Sequence, residues 1–411
     1  MTLTDKIVEL EAALKEAQAK RPTKDAWVCP DDYTGPQHGT KDQPLCISSG
    51  EQLADALAIV RGKTLQLHTG EYQLRRDSGW QSGNQSAVLL NGNGSTVKLI
   101  ASSDKLPVAT YPNGYTGVRP DVSLLYCDGA YGDQEHVVED ITLDARDAVK
   151  NDPELIMNVG IRATTTLRCK GVHVKGLKGM WAAHPQTALQ YEAFGISAVG
   201  PRGGTFIRGC TVEMEPDSYG NGITVGHLPR FGEIDQPRPS VVEDCYVNGN
   251  LRNHVGFTAS ANTCIRNCMS IRTNHGIYQD TAGARNIRVE NCHFTTHWCG
   301  IRLHSHNDKE NYQVFTADGI TVSFEPGGGN NDYILFAATH QNTPAGFEGI
   351  HIRARTIYLP PGCRYYRISS DLPAAKLSYE IDDLSPMTGI DNLPAWSKER
   401  LGACVVSGIR P

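Results

Sequence analysis

Apolar and polar residues alternate in short runs along most of this chain, and the runs repeat. Between Val241 and His306 three versions of one phrase occur: Val242-Glu-Asp-Cys245-Tyr-Val247, Ile265-Arg-Asn-Cys268-Met-Ser270 and Val289-Glu-Asn-Cys292-His-Phe294. Their cysteines recur 23 and then 24 residues apart. Each phrase is a period-2 strand pattern interrupted by Asp or Asn, residues that tolerate the left-handed backbone of a sharp turn. The same column continues upstream at Asp140, Gly171 and Gly209 and downstream at Gly319 and Gly349. The position after it reads Ile141, Val172, Cys210, Cys245, Cys268, Cys292, Ile320 and Ile350, an apolar file aimed at one interior.

A second column keeps step with the first: Gly160-Ile, Gly195-Ile, Gly222-Ile, Gly256-Phe, Gly276-Ile and Gly300-Ile. Short strands with repeated turn residues at a period of 20–30 are the signature of a stacked repeat. The pattern predicts an all-β chain, a single-stranded right-handed parallel β-helix, or solenoid, over residues 73–370. Residues 1–22 are expected to be a helix, because Leu3, Ile7, Leu10, Leu14 and Ala17 follow coiled-coil spacing. That helix either lies on the body of its own chain or forms a short trimerisation stalk. Residues 23–72 read as a connector and cap, with a capping helix from Ser49 to Val60, and 371–411 as a tail that closes the far end.

Composition changes this picture little. A chain of 411 residues with 41 glycines and a net charge of −6 suits a turn-rich β protein. It shows no basic surplus for nucleic acid or anionic membranes. No apolar run is long enough for a membrane span, and no leader peptide is seen, so synthesis in a cytoplasm is expected. Twelve cysteines would suggest disulfides. Four of them share one inward column, however, so they are expected to be reduced and to act as small hydrophobes. Cys29 and Cys46 lie outside the repeat and could pair. No metal site or cofactor is expected.

Candidate chemistry follows from strand alternation. If Ile277 and Ile301 face the core, Tyr278 and Asp280 face out, as do Arg302 and His304. Neighbouring strands then set Tyr278 beside Arg302 and Asp280 beside His304, with Thr258 and Ser260 on the strand before and Thr224 and Arg162 further upstream. An acid, an imidazole, a guanidinium and a phenol on one face suit two reactions on a polysaccharide. In hydrolysis Asp280 would be one of two carboxyl groups, with Glu233, Asp235 or Asp308 as its partner. In β-elimination Arg302 would neutralise a uronate carboxylate while His304 or Tyr278 exchanged protons and Asp280 oriented the histidine. His254, His275 and His297 precede the second strand of their coils and could line the groove. Trp181, Tyr191, Phe231 and Trp298 could stack on sugars.

The helix at Ser49–Val60 followed by a strand and Gly70-Glu-Tyr72 resembles the N-terminal cap of β-helix carbohydrate-active proteins, pectate-lyase-like enzymes and phage tailspike depolymerases among them. Gly300-Ile-Arg302-Leu is similar to the arginine strand of polygalacturonases, but their Asn-Thr-Asp and paired-Asp motifs are absent. The resemblance implies a glycoside hydrolase or polysaccharide lyase of tailspike type, homotrimeric and carried on a virion, that binds its substrate along the outer strand face. The alternative is a non-catalytic glycan-binding or structural β-helix protein.

Overall fold

The computed structural model describes residues 25–30, 45–47, 64–76, 81–82, 89–102, 108–110, 116–118, 123–127, 135–151, 159–179, 192–198, 203–216, 218–226, 238–249, 253–279, 286–306, 313–325, 334–341, 350–359, 364–368, 377–381 and 384–386. The chain divides into two compact units, Met1–Ala198 and Val199–Pro411.

In the first unit, Asp25–Pro30 pairs in parallel with Leu45–Ile47 and with Thr64–Leu67, and sets Cys29 opposite Cys46 as Cα partners. Leu89–Ser102 then receives both Thr64–Leu67 and Glu71–Arg76 on one side and Glu135–Asp144 on the other. Glu135–Asp144 passes on to Thr166–Lys170 and His173–Leu177. Leu65, Leu90 and Val138 form one buried inward file, and Leu143 and Val174 a second. Val108–Thr110 and Thr116–Val118 form a short antiparallel pair.

The second unit is built from three parallel ladders. The first stacks Phe206–Arg208, Ser240–Glu243, Thr263–Arg266 and Ile287–Glu290. The second stacks Thr211–Met214, Tyr246–Asn248 and the start of Met269–Gln279. The third stacks Tyr219–Val225, Asn253–Ala259 and the end of that same long strand. His293–His306 likewise runs through the second and third ladders, while Gln313–Phe324 and Ile350–Leu359 run through the first and second. Ile207, Val242, Ile265 and Val289 form one buried file, and Ile223, Phe257, Ile277 and Ile301 another. Each such side chain contributes about 1.5–3 kcal/mol on burial.

The all-β class stands, but the expected architecture does not. The strands close around the interior as a parallel β-barrel with further strands outside it, not as an open single-stranded solenoid. The reason lies in strand length. Met269–Gln279 and His293–His306 are 11 and 14 residues long and carry backbone pairing from one ladder into the next. Among the described residues the one helix is Arg146–Asn151, which the alternation pattern does not reveal. The helices expected at residues 3–20 and 49–60 lie outside the described residues, as does the tail beyond 386. No helix among the described residues is long and apolar enough to cross a membrane.

The turn column behaves as the sequence predicts. Asp140, Gly171, Gly209, Asp244, Asn267, Asn291 and Gly319 all have positive φ, between 49° and 63°. Cross-strand bonding continues on both sides of the turn: Asn267 N–H donates to Glu290 O at 3.0 Å and Met269 N–H to Cys245 O at 2.9 Å. The inward cysteines are buried thiols. Each thiol also has a carbonyl within reach two residues back, Cys268 Sγ lying 3.1 Å from Arg266 O and Cys245 Sγ 3.1 Å from Glu243 O. Burial holds the Cys245 and Cys268 thiols well above the ordinary range, so they stay protonated as weak donors.

Candidate functional site

The glycine column explains how the site comes to face outward. A Cβ at Gly222 would lie 2.4 Å from Val247 Cγ1, one at Gly256 2.5 Å from Ser270 Cβ, and one at Gly276 2.4 Å from Phe294 Cγ. The backbone therefore passes hard against the second ladder's inner side chains, and no larger residue fits. Strict alternation would send His275 inward together with Ile277. The strand register shifts between Thr273 and His275, and the His275 ring lies instead against Tyr278 and Arg302, which the sequence places on the outer face.

Tyr278 and Arg302 are Cα partners on adjacent strands, as expected. Arg302 Cζ lies 4.8 Å from the Tyr278 ring centroid and 5.7 Å from that of Trp298. The His275 ring stands edge-on to Trp298 at 4.9 Å and is 5.7 Å from Tyr278. Arg302 Nη1 is 3.4 Å from His275 Nε2. A guanidinium has donors only, so it donates and the imidazole nitrogen accepts. Burial, and then the Arg302 charge, push the His275 pKa well below its usual value, so the ring is neutral. Its proton therefore resides on Nδ1. Among the described residues no carboxylate pairs with Arg302.

The other candidates divide. Thr258 is the Cα partner of Tyr278, is 5 % exposed, and directs its hydroxyl to Asn221 Oδ1 at 2.9 Å. Its hydroxyl is thus engaged with the strand before it. Trp298 packs against Cys299 and joins the Arg302 cluster. His304 lies in its strand opposite Thr339, but its side chain is outside the described set, as is that of His254. Asp280, Glu233, Asp235 and Asp308, with Trp181, Tyr191 and Phe231, also lie outside the described residues. The structure therefore brings together Tyr278, Arg302, Trp298 and His275 and does not place the expected acids. Arg162 belongs to the first unit, with Tyr126 and Ser197 as Cα partners.

Asn221 is a member of this face that alternation does not single out. It occupies the same pre-glycine position as His275, and that column (Asn221, Val255, His275, Cys299) is the signal available in the sequence. Among the described residues no group of three or more His, Cys, Asp or Glu is arranged to hold a metal ion.

The chemistry open to this cluster is proton exchange by a phenol and a neutral imidazole beside a fixed positive charge, on a surface with two aromatic rings. No protein-family profile and no curated protein sequence matches the chain. Among solved structures it is similar to the GH136 lacto-N-biosidase from Eubacterium ramulus, at 12% identity and TM-score 0.37, covering 91% of this chain and 69% of that one. It is also similar to two mutant forms of the periplasmic alginate epimerase AlgG. The single mutant has 10% identity and TM-score 0.31 over 79% of this chain and 77% of that one. The double mutant has 11% identity and TM-score 0.28 over 79% of this chain and 75% of that one. Likenesses this slight carry no argument about what this chain does.

Proposed function

We propose that this chain is a carbohydrate-active enzyme that cleaves or modifies a polysaccharide lying across the outer strand face of its second unit. The observation that carries the reading is the Arg302 guanidinium held over the Tyr278 ring, with neutral His275 behind it. In this reading Arg302 fixes the reacting sugar unit, Tyr278 exchanges the proton and Trp298 offers a flat apolar edge. Hydrolysis needs two carboxyl groups across the scissile bond, and elimination needs a cation with a proton-transfer group. The Tyr278–Arg302–His275 set suits the second, so a polysaccharide lyase is preferred to a glycoside hydrolase. A trimeric depolymerase of tailspike type is the finer form of the same proposal.

Purified full-length chain incubated with a panel of polysaccharides tests it. The readouts are released reducing ends, ultraviolet absorbance of unsaturated ends, and deuterium taken up by sugar carbons from heavy water. Tyr278→Phe keeps the ring beneath Arg302 and removes the hydroxyl. It should lower the active reaction by about 10²–10⁴-fold, the range for a lost general acid or base. Wild-type activity in Tyr278→Phe would remove Tyr278 from the mechanism. Tight glycan binding with no reaction in any readout would make the chain a binding module.

A further inference from the structure

Two irregularities in the pairing of Met269–Gln279 with His293–His306 lie beside the Arg302 cluster. Ser270 and Phe294 are Cα partners 24 residues apart, Thr273 and Thr296 are 23 apart, and His275 and Cys299 are 24 apart again. The first strand therefore carries one extra residue between Ser270 and Thr273, where Arg272 has φ of 53°. The second strand carries its own between Thr296 and Cys299, at His297 and Trp298. The two bulges cancel, so Tyr278 and Arg302 pair at the same offset as Ser270 and Phe294. A bulge leaves a residue out of the ladder and re-aims the side chains next to it. Here the re-aimed pair is His275 and Trp298, whose ring centroids are 4.9 Å apart. Over this stretch regular ladder bonding is interrupted, and it does not by itself fix the pair.

Glu325 reaches both bulged strands. Its N–H donates to Thr296 O at 2.8 Å, two residues before Trp298. Its half-buried carboxylate accepts from the main-chain N–H of Arg272, three residues before His275. Burial raises the Glu325 pKa, and the Arg272 charge and that N–H oppose the rise, which marks both as partners of the ionised form. One residue thus ties the strand bearing Trp298 to the strand bearing His275 at the point where each leaves the ladder. We infer that Glu325 is a positioning residue for the reaction: it clamps the paired bulges and so sets His275 and Trp298 around Arg302. The inference rests on the catalytic reading above and adds to it a carboxylate that acts through other side chains.

Two readouts on the full chain test the clamp. The first is hydrogen exchange read by mass spectrometry in Glu325→Ala, and in Glu325→Asp, which keeps the charge but is one methylene short. Exchange should rise in peptides covering Met269–Gln279 and His293–His306 and stay at the wild-type level in Phe206–Arg208 and Thr211–Met214. The second is turnover of whichever polysaccharide the wild type processes. Glu325→Ala should lower kcat/KM about 10–100-fold, a misplacement of about 1 Å costing up to about 100-fold. Glu325→Gln, which keeps an oxygen acceptor for the Arg272 N–H, should recover most of that loss. In a Tyr278→Phe background Glu325→Ala should cost far less, because positioning matters only where the proton-exchanging group is present. Wild-type exchange in both peptides, or an equal loss of activity with and without the Tyr278 hydroxyl, would overturn the positioning role and leave the catalytic reading in place. A wild type that processes no polysaccharide would overturn the catalytic reading, and exchange alone would then decide whether Glu325 holds the bulges.

Discussion

His293 ties the stability of the second unit to pH. It sits on the outer side of the second ladder, with no exposed surface, Met269 and Thr321 as its Cα partners and Nε2 3.1 Å from Thr295 Oγ1. Thr295 Oγ1 in turn lies 2.9 Å from Ser323 Oγ. Burial lowers the His293 pKa from 6.5 to about 4. A folded-state pKa below the unfolded one means that the unfolded chain takes up the proton first. The stabilisation from keeping His293 neutral is thus fully present above pH 6.5, falls as pH drops through 6.5, and is exhausted near pH 4. A shift of this size corresponds to about 3 kcal/mol over the whole window, at 1.36 kcal/mol per pKa unit. Between pH 7 and pH 5 the linkage relation gives a loss of about 2 kcal/mol. Ordinary carboxylates titrate mostly below that interval, which leaves it to the histidines.

The assay is urea unfolding at pH 7 and pH 5, for the wild type and for His293→Met. Methionine already occupies the position one strand earlier, at Met269, so the substituted side chain matches the column. The variant loses the bond to Thr295 and is expected to be less stable at pH 7. Its loss between pH 7 and pH 5 should be smaller than the wild type's by about 2 kcal/mol. Wild type and variant losing the same stability across that interval would show that His293 is not held neutral by burial, and would refute the reasoning.

Two further perturbations test the frame. Gly276→Ala places a Cβ 2.4 Å from Phe294 Cγ, an overpacking that should cost about 1–3 kcal/mol. A fall of several degrees in the melting temperature would show it, whereas an unchanged midpoint would mean that the backbone does not pass so close to the second ladder. Glu243→Gln removes the charge that accepts from both Arg266 Nε, at 2.7 Å, and Arg266 Nη2, and that also pairs with Arg208 at 3.4 Å. The Glu243 side chain is 9 % exposed and that of Arg266 46 %, so a loss of about 1–2 kcal/mol that shrinks at high salt is expected. A loss independent of salt would assign the effect to packing.

The turn column was readable from sequence because a positive φ filters residue type at a single position. Asp140, Asp244, Asn267 and Asn291 stand there with three glycines, and almost nothing else fits. The glycine column was readable as a pattern, but its cause was not. Only the structure shows Val247, Ser270 and Phe294 occupying the space a side chain would need. The closed architecture was not readable. Alternation reports which face a residue takes and not whether one strand continues through two ladders, as Met269–Gln279 does. Arg272, with φ of 53°, lies inside that strand where its register shifts between Ser270 and Thr273, and carries none of the usual turn chemistry. At the site, pairing register placed Tyr278 beside Arg302 correctly. Strict period-2 alternation would have turned His275 inward with Ile277, and it fails where the strand register shifts between Thr273 and His275.

That failure shows what distinguishes the site from the rest of the face. At two column glycines, Gly222 and Gly276, the residue before the glycine meets the residue two beyond the glycine on the next strand. In one instance Asn221 accepts from Thr258 at 2.9 Å, donor meets acceptor, and the contact is satisfied. In the other, His275 accepts from Arg302 at 3.4 Å, and three N–H groups around the contact, those of Arg302 Nε, Trp298 Nε1 and His275 Nδ1, remain unmet. Both pairs are built by the same backbone device, so the fold does not require the second to be left unsatisfied. Asn and Thr at those positions would have closed it. A structural ladder gains nothing from a guanidinium and an imidazole there, since each buried donor left unmade weakens it. On the glycan reading proposed above, a ligand bearing acceptors at His275 and Arg302 would offset that cost.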